Sequence, residues 1–138
     1  MVVHVQDVMH RRVITVDPSL LLQEAAAIMA DNHVGSLVVV AGGALKGILT
    51  ERDLLIALAQ LGKEVVYATV GDLMTNYVIS VGPRERLAAA LELMRTHHIK
   101  KLPVVEDGRL EGILTTTDII AAKPELLPEV LPLLRGEK

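Results

Sequence analysis

The apolar positions change period several times along the chain. Val13-Ile14-Thr15-Val16 is a β-branched run stopped by Asp17-Pro18, which predicts a short strand. Leu21, Leu22, Ala25, Ile28 and Met29 then recur at helical spacing, which predicts a helix over residues 20–32 with Ser19 as a candidate N-cap. Two apolar runs, 37–40 and 45–49, flank Gly42-Gly43 and read as a hairpin, because adjacent glycines accept positive φ without a Cβ clash. A second helix is expected from Thr50 to Leu61, ended by Gly62.

The same order then recurs. Strand 78–81, Pro83, helix 86–97, strands 102–106 and 110–114 around Asp107-Gly108, and a helix from Thr115 follow one another at a constant offset of 65 residues. Residues 5–55 and 70–120 are identical at 21 of 51 positions. The expected organisation is a first repeat over 1–62, a connection over 63–69, a second repeat over 70–122 and a Pro/Leu-rich tail over 123–138. Each half is near the lower size limit for a self-sufficient core, so the two are expected to share one. The fold class is α/β (α+β): two β-α-β-β-α repeats with small mixed sheets, packed by pseudo-twofold symmetry with related clefts where they meet. In the tail, Pro124, Pro128 and Pro132 argue against one regular helix, and a cap over the module's own apolar surface is the preferred reading.

Composition narrows the chemistry. Apolar residues make up 51%, yet the aromatics are two tyrosines, so packing falls to aliphatic side chains and base-stacking surfaces are nearly absent. With a net charge of −3 and scattered basic residues, nucleic-acid binding is disfavoured. The absence of cysteine excludes disulfides, thiolate catalysis and Cys-ligated metals. No apolar run reaches the length of a membrane span, and the N-terminus lacks a leader pattern, so a cytoplasmic protein is expected. His33 and His98 fall at matched helix ends, where dipole complementation is the simplest role; no metal site is expected there, nor at His97 beside His98.

The strongest chemical signal is duplicated. Gly47-Ile48-Leu49-Thr50-Glu51-Arg52-Asp53 matches Gly112-Ile113-Leu114-Thr115-Thr116-Thr117-Asp118, with a Thr at each strand-to-helix junction and an Asp three residues on. Thr-x-x-Asp also describes a capping box, in which the two side chains satisfy free backbone N–H groups. The two motifs combine with matched Val-Ile-Thr/Ser-Val strands, Asp-Val-Met and Asp-Leu-Met openings, and the Val-Gly-Ser-Leu-Val-Val-Val and His-Ile-Lys-Lys-Leu-Pro-Val-Val segments. This ensemble resembles a tandem pair of cystathionine-β-synthase (CBS) domains, the Bateman module, over about 120 of the 138 residues.

That resemblance implies a regulatory module binding adenosine-containing ligands in clefts between the repeats, with Asp53 and Asp118 on the ribose hydroxyls and Thr50 and Thr115 nearby. An ionised carboxylate is acceptor-only and can take both hydroxyls of one ribose. Adenine is expected against Ile14 and Thr15, or Ile79 and Ser80. Lys100 and Lys101, ahead of Pro103, are the candidates for phosphate, whereas the first repeat has Gly35-Ser36. Arg52 and Arg12 are weaker phosphate candidates in the first repeat, and Thr117 replaces Arg52 at the equivalent motif position, so unequal sites are expected.

AMP is the first-choice ligand, then ADP or ATP, with S-adenosylmethionine or NAD as alternatives and no catalytic cofactor. No nucleophile–base pair, Gly-rich dinucleotide turn or P-loop points to an enzyme. The helix over 53–62 is apolar around most of its circumference, which predicts a homodimer. The regulated partner is not legible, and a dimerisation adaptor with vestigial clefts is the competing reading.

Overall fold

The structure is a computed structural model and describes residues 2–136. The elements run α1 (Val5–Val8), β1 (Thr15–Val16), α2 (Leu22–Asn32), β2 (Ser36–Ala41), β3 (Ala44–Thr50) and α3 (Glu51–Leu61), then a 3-10 turn at Gly62–Tyr67. After it come α4 (Val70–Leu73), α5 (Leu87–His97), β4 (Lys101–Glu106), β5 (Arg109–Thr115), α6 (Thr116–Ala122), a 3-10 turn at Pro124–Leu126 and α7 (Leu127–Leu134). The β-α-β-β-α order is present in the first repeat, and in the second the opening strand is reduced to an isolated bridge.

The chain divides into two compact units that cut across the sequence repeats. The first is Ile14–Val78; the second joins the described parts of Met1–Val13 and Ile79–Lys138. The opening turn of each repeat therefore belongs with the body of the other. In the first unit, Leu22 donates its N–H to Ala68 O at 2.9 Å and Val70 donates to Leu20 O at 2.8 Å. In the second, Leu87 donates to Val3 O and Val5 donates to Glu85 O, both at 2.9 Å.

These bonds explain where α2 and α5 begin. Helix α2 starts at Leu22, two residues later than its periodicity predicts, because Leu21 stays extended and bridges Thr69. Ser19 is not the N-cap. Its N–H and hydroxyl both donate to Asp17 Oδ1, closing the Asp-Pro turn and holding the Asp17 carboxyl below its ordinary range, the backbone bond being the larger cause.

In the first unit, β1 runs parallel to β2, pairing Thr15 with Val38 and Val16 with Val39, and β2 is antiparallel to β3. In the second, β4 and β5 form the matching antiparallel pair, and Val81 makes one parallel bridge to Val104. Of the predicted strands 13–16 and 78–81, only Thr15, Val16 and Val81 are paired. Their β-branched side chains favour extension, but a strand also needs ladder partners, and pairing begins only at the last residues of each run.

Both hairpins turn as expected. Gly42 and Gly43 have φ of 60° and 81°, and Asp107 and Gly108 have 52° and 79°, the two successive positive values that a two-residue hairpin requires. Just past each register shift, at Val39/Val40 and Val104/Val105, the hairpins close at matched positions. His33 and His98 each end a helix in the left-handed conformation, with φ of 55°.

Most of the described buried apolar side chains fall into two clusters, not one shared core. One gathers Val16, Leu22, Ala25, Met29, Leu37, Leu49, Ala57 and Val70. The other gathers Val5, Leu87, Met94, Leu102, Leu114 and Ile119, together with Val130 and Leu133 from the tail. The exchanged Val5 and Val70 supply each core with a residue its own repeat does not provide, which is how units of this size close.

The tail completes the second core as a helix despite its prolines. Pro128 lies in the first turn, where no backbone donor is needed, and only Pro132 is interior. No single helix runs through all three prolines, as expected: Pro124 opens a separate 3-10 turn, and α7 holds only Pro128 and Pro132. Among the described residues, no helix is long and apolar enough to cross a membrane.

Candidate functional site

Each unit holds one complete set of the duplicated motif residues. Ile14, Thr15, Thr50, Arg52 and Asp53 fall in the first unit; Ile79, Ser80, Lys100, Lys101, Pro103, Thr115, Thr117 and Asp118 fall in the second.

The Thr and Asp of each motif form a capping box. Asp53 Oδ2 accepts the Thr50 N–H at 2.9 Å, while Thr50 Oγ1 accepts the Asp53 N–H at 3.2 Å. Thr115 and Asp118 repeat this at 3.0 and 3.1 Å. The capping role is therefore real, and the fold uses it a third time at Thr69 and Asp72. There the carboxyl is exposed and held below its ordinary range, first by the Thr69 backbone bond and then by its side chain. Asp53 and Asp118 differ from Asp72 in being half-buried. A half-buried carboxylate at a helix N-terminus meets a polar ligand with less competition from water.

The β ladders place the neighbouring residues. Ser36 pairs with Thr50, and Lys101 pairs with Thr115, so the Ser-to-Lys difference between repeats lies directly opposite the motif threonine. Gly35 O and Lys100 O each accept the first N–H of the following helix, from Glu51 and Thr116, both at 3.0 Å. Lys100 thus has a backbone role and an exposed side chain, while Lys101 is half-buried. Arg52 and Thr117 are exposed in the first helical turns. Ile14 is 40% exposed, whereas Val16 turns inward. Ile79 is half-buried against the second core and Ser80 is exposed. Pro103 departs from the set because it is almost fully buried.

The motif glycines have a steric role that sequence reasoning did not assign. Ile48 exchanges both backbone bonds with Thr75, at 3.0 and 2.8 Å, and Ile113 does the same with His10, at 3.0 and 2.9 Å. A Cβ on Gly47 would lie 2.7 Å from Thr75 O, and one on Gly112 would lie 2.7 Å from His10 O. Each motif is therefore strapped by the chain that follows the other repeat's opening turn, and glycine leaves room for the strap.

His10 is the residue the sequence reading missed. Its Nδ1 lies 2.8 Å from Asp118 Oδ2. The available signal was a mismatch: directly after the shared methionine, the first repeat has His10 where the second has Thr75. Among the described residues, no three His, Asp or Glu side chains converge as metal ligands.

Comparison with known proteins agrees with this architecture. The CBS domain family matches residues 5–60 and 70–125. The chain is 36% identical over 115 residues to the CBS domain-containing protein YhcV of Bacillus subtilis, covering 83% of this chain and 81% of that protein. The crystal structure of CBSX2 in complex with AMP superposes with a TM-score of 0.79 at 30% identity, over 90% of this chain and 98% of that one. The CBS domain pair of MJ0100, in complex with 5′-methylthioadenosine and S-adenosyl-L-methionine, gives a TM-score of 0.76 at 30% identity, over 91% and 98%. With two matched copies, a shared element order and a motif strapped alike in both units, the chain belongs to the CBS-domain family as a tandem CBS pair.

Proposed function

We propose that this chain is a regulatory module that binds an adenosine-containing ligand and passes its occupancy to a partner protein without catalysing a reaction. The observation that carries this reading is the matched, half-buried pair Asp53 and Asp118, each fixed at a helix N-terminus beside a threonine. The ligands of CBSX2 and MJ0100, AMP and two phosphate-free adenosyl compounds, support the ligand class.

In this reading Asp53, with Thr50, Ile14 and Thr15, holds one ribose and adenine, and Asp118, with Thr115, Ile79 and Ser80, holds the other. AMP is the first choice, followed by ADP and ATP, because Lys101 opposite Thr115 and the neighbouring Lys100 offer positive charge to phosphate in the second unit. S-adenosylmethionine uses the same ribose contact without the lysines. A ligand regulates only by binding the module's conformations unequally.

The proposal includes a homodimer formed through α3. Ala57 and half-buried Leu54 face the core, yet Leu55 and Leu58 remain 67% and 58% exposed on the outer side. A second copy of this helix would cover them.

Calorimetry with AMP, ATP, NADH and S-adenosylmethionine on the wild type, Asp53→Ala and Asp118→Ala tests the reading. Saturable binding weakened by either substitution supports it. No binding by any adenosyl compound would favour a dimerisation adaptor.

A further inference from the structure

We propose that His10 sets the two ribose sites apart by occupying the carboxylate of Asp118, so that the Asp118 site binds adenosine more weakly than the Asp53 site until the imidazole is displaced. The inference rests on the reading of Asp53 and Asp118 as ribose ligands.

Asp118 Oδ2 receives three donors: the Thr115 N–H at 3.0 Å, the Thr115 hydroxyl at 2.9 Å and the His10 ring at 2.8 Å. A carboxylate only accepts, so Nδ1 carries the proton in this contact. Each carboxylate oxygen has about two lone-pair sites, so three donors already crowd Oδ2. A ribose that presents one hydroxyl to each oxygen of this carboxylate needs a place on Oδ2, where the three donors stand. The two Thr115 donors belong to the helix cap and stay with the fold. The imidazole, whose side chain is 46% exposed, is the donor free to leave.

The first unit lacks this competitor. Thr75 stands where His10 does, held by the same pair of backbone bonds to the motif isoleucine. A threonine side chain is shorter and carries no ring nitrogen. The backbone path is thus common to both units, and the difference lies in one side chain.

The test uses adenosine, which has no phosphate to involve the lysines, on the full chain with one site removed at a time. In an Asp53→Ala background, His10→Thr should tighten adenosine binding about tenfold, the effect of no longer breaking one charge-assisted hydrogen bond. In an Asp118→Ala background, Thr75→His should weaken it by a similar factor. Each substitution installs the residue that the other repeat already carries at that position, and thermal melts check that the fold is retained. If Asp118→Ala in the wild type removes a binding event while His10→Thr changes nothing or weakens binding, the His10 inference is overturned and the ribose reading stands. If adenosine binds none of these proteins, the ribose reading falls and the inference with it.

Discussion

The amide of Leu87 donates to the carbonyl of Val3 at 2.9 Å, so the first turn of α5 is held by a segment from the far end of the chain. Leu22 and Ala68 make the same bond in the other unit. Each unit is completed by the opening of the other repeat, and the strap that follows that opening lies over the Gly-Ile-Leu-Thr-x-x-Asp motif.

Gly47→Ala and Gly112→Ala should each destabilise the protein by about 1–3 kcal/mol, because the added methyl meets a strap carbonyl at 2.7 Å and a backbone atom cannot yield as the end of a side chain does. Urea denaturation should show a lowered midpoint for both. A midpoint unchanged from wild type would mean that the straps are not held against the motifs in solution.

Asp53→Asn and Asp118→Asn separate capping from ligand binding. Asparagine keeps a cap acceptor, so stability should change by less than about 1 kcal/mol, yet it loses the charge and one acceptor oxygen. Calorimetry should find AMP affinity reduced roughly tenfold or more at the altered site. An equal loss of stability and binding would point to a purely structural aspartate.

2′-Deoxyadenosine should bind about tenfold more weakly than adenosine, because one donor to the carboxylate is missing. A competition experiment that ranks the two equally would exclude bidentate ribose recognition.

Truncation after Ala122 removes Val130 and Leu133 from the second core. Full burial of such side chains contributes about 1.5–3 kcal/mol each, so the truncated chain should lose several kcal/mol and melt earlier. Light scattering on Leu55→Glu and Leu58→Glu addresses the separate question of the dimer, which these charges should dissociate without a comparable loss of stability.

Acid should weaken the fold through Asp17 and Asp72. Hydrogen bonds from Ser19 and Thr69 hold both carboxyls below their ordinary range, so each favours the folded state above the ordinary aspartate pKa and loses that contribution as pH falls through its depressed value. Urea midpoints measured from neutral to strongly acidic pH should fall only at the acid end. Asp72→Asn should make that fall shallower.

Much of this architecture is local and was readable from the residues. The residue pattern located α2, α3 and α5 to within two residues and the start of α6 to within one, and the Gly-Gly and Asp-Gly turns located both hairpins, since periodicity and positive-φ chemistry depend on near neighbours. The duplicated Thr and Asp were legible for the same reason. The adenosyl role rests on resemblance, because the spacing itself describes a cap, and the fold uses that cap again at Thr69 and Asp72.

The exchange of opening segments was not legible, and the repeat itself is the reason. Val5-x-Asp-x-Met and Val70-x-Asp-x-Met carry the same side chains, so either could close either core, and only the path of the connected chain decides between them. That decision placed His10 against Asp118, 108 positions away, and Thr75 beside the other motif. The tertiary structure also assigned Val130 and Leu133 to the second core, where burial stabilises a helix with Pro132 inside it. Local pattern determined the elements and the duplicated chemistry; long-range backbone pairing, which two nearly equivalent partners leave ambiguous in the sequence, determined which copy completes which.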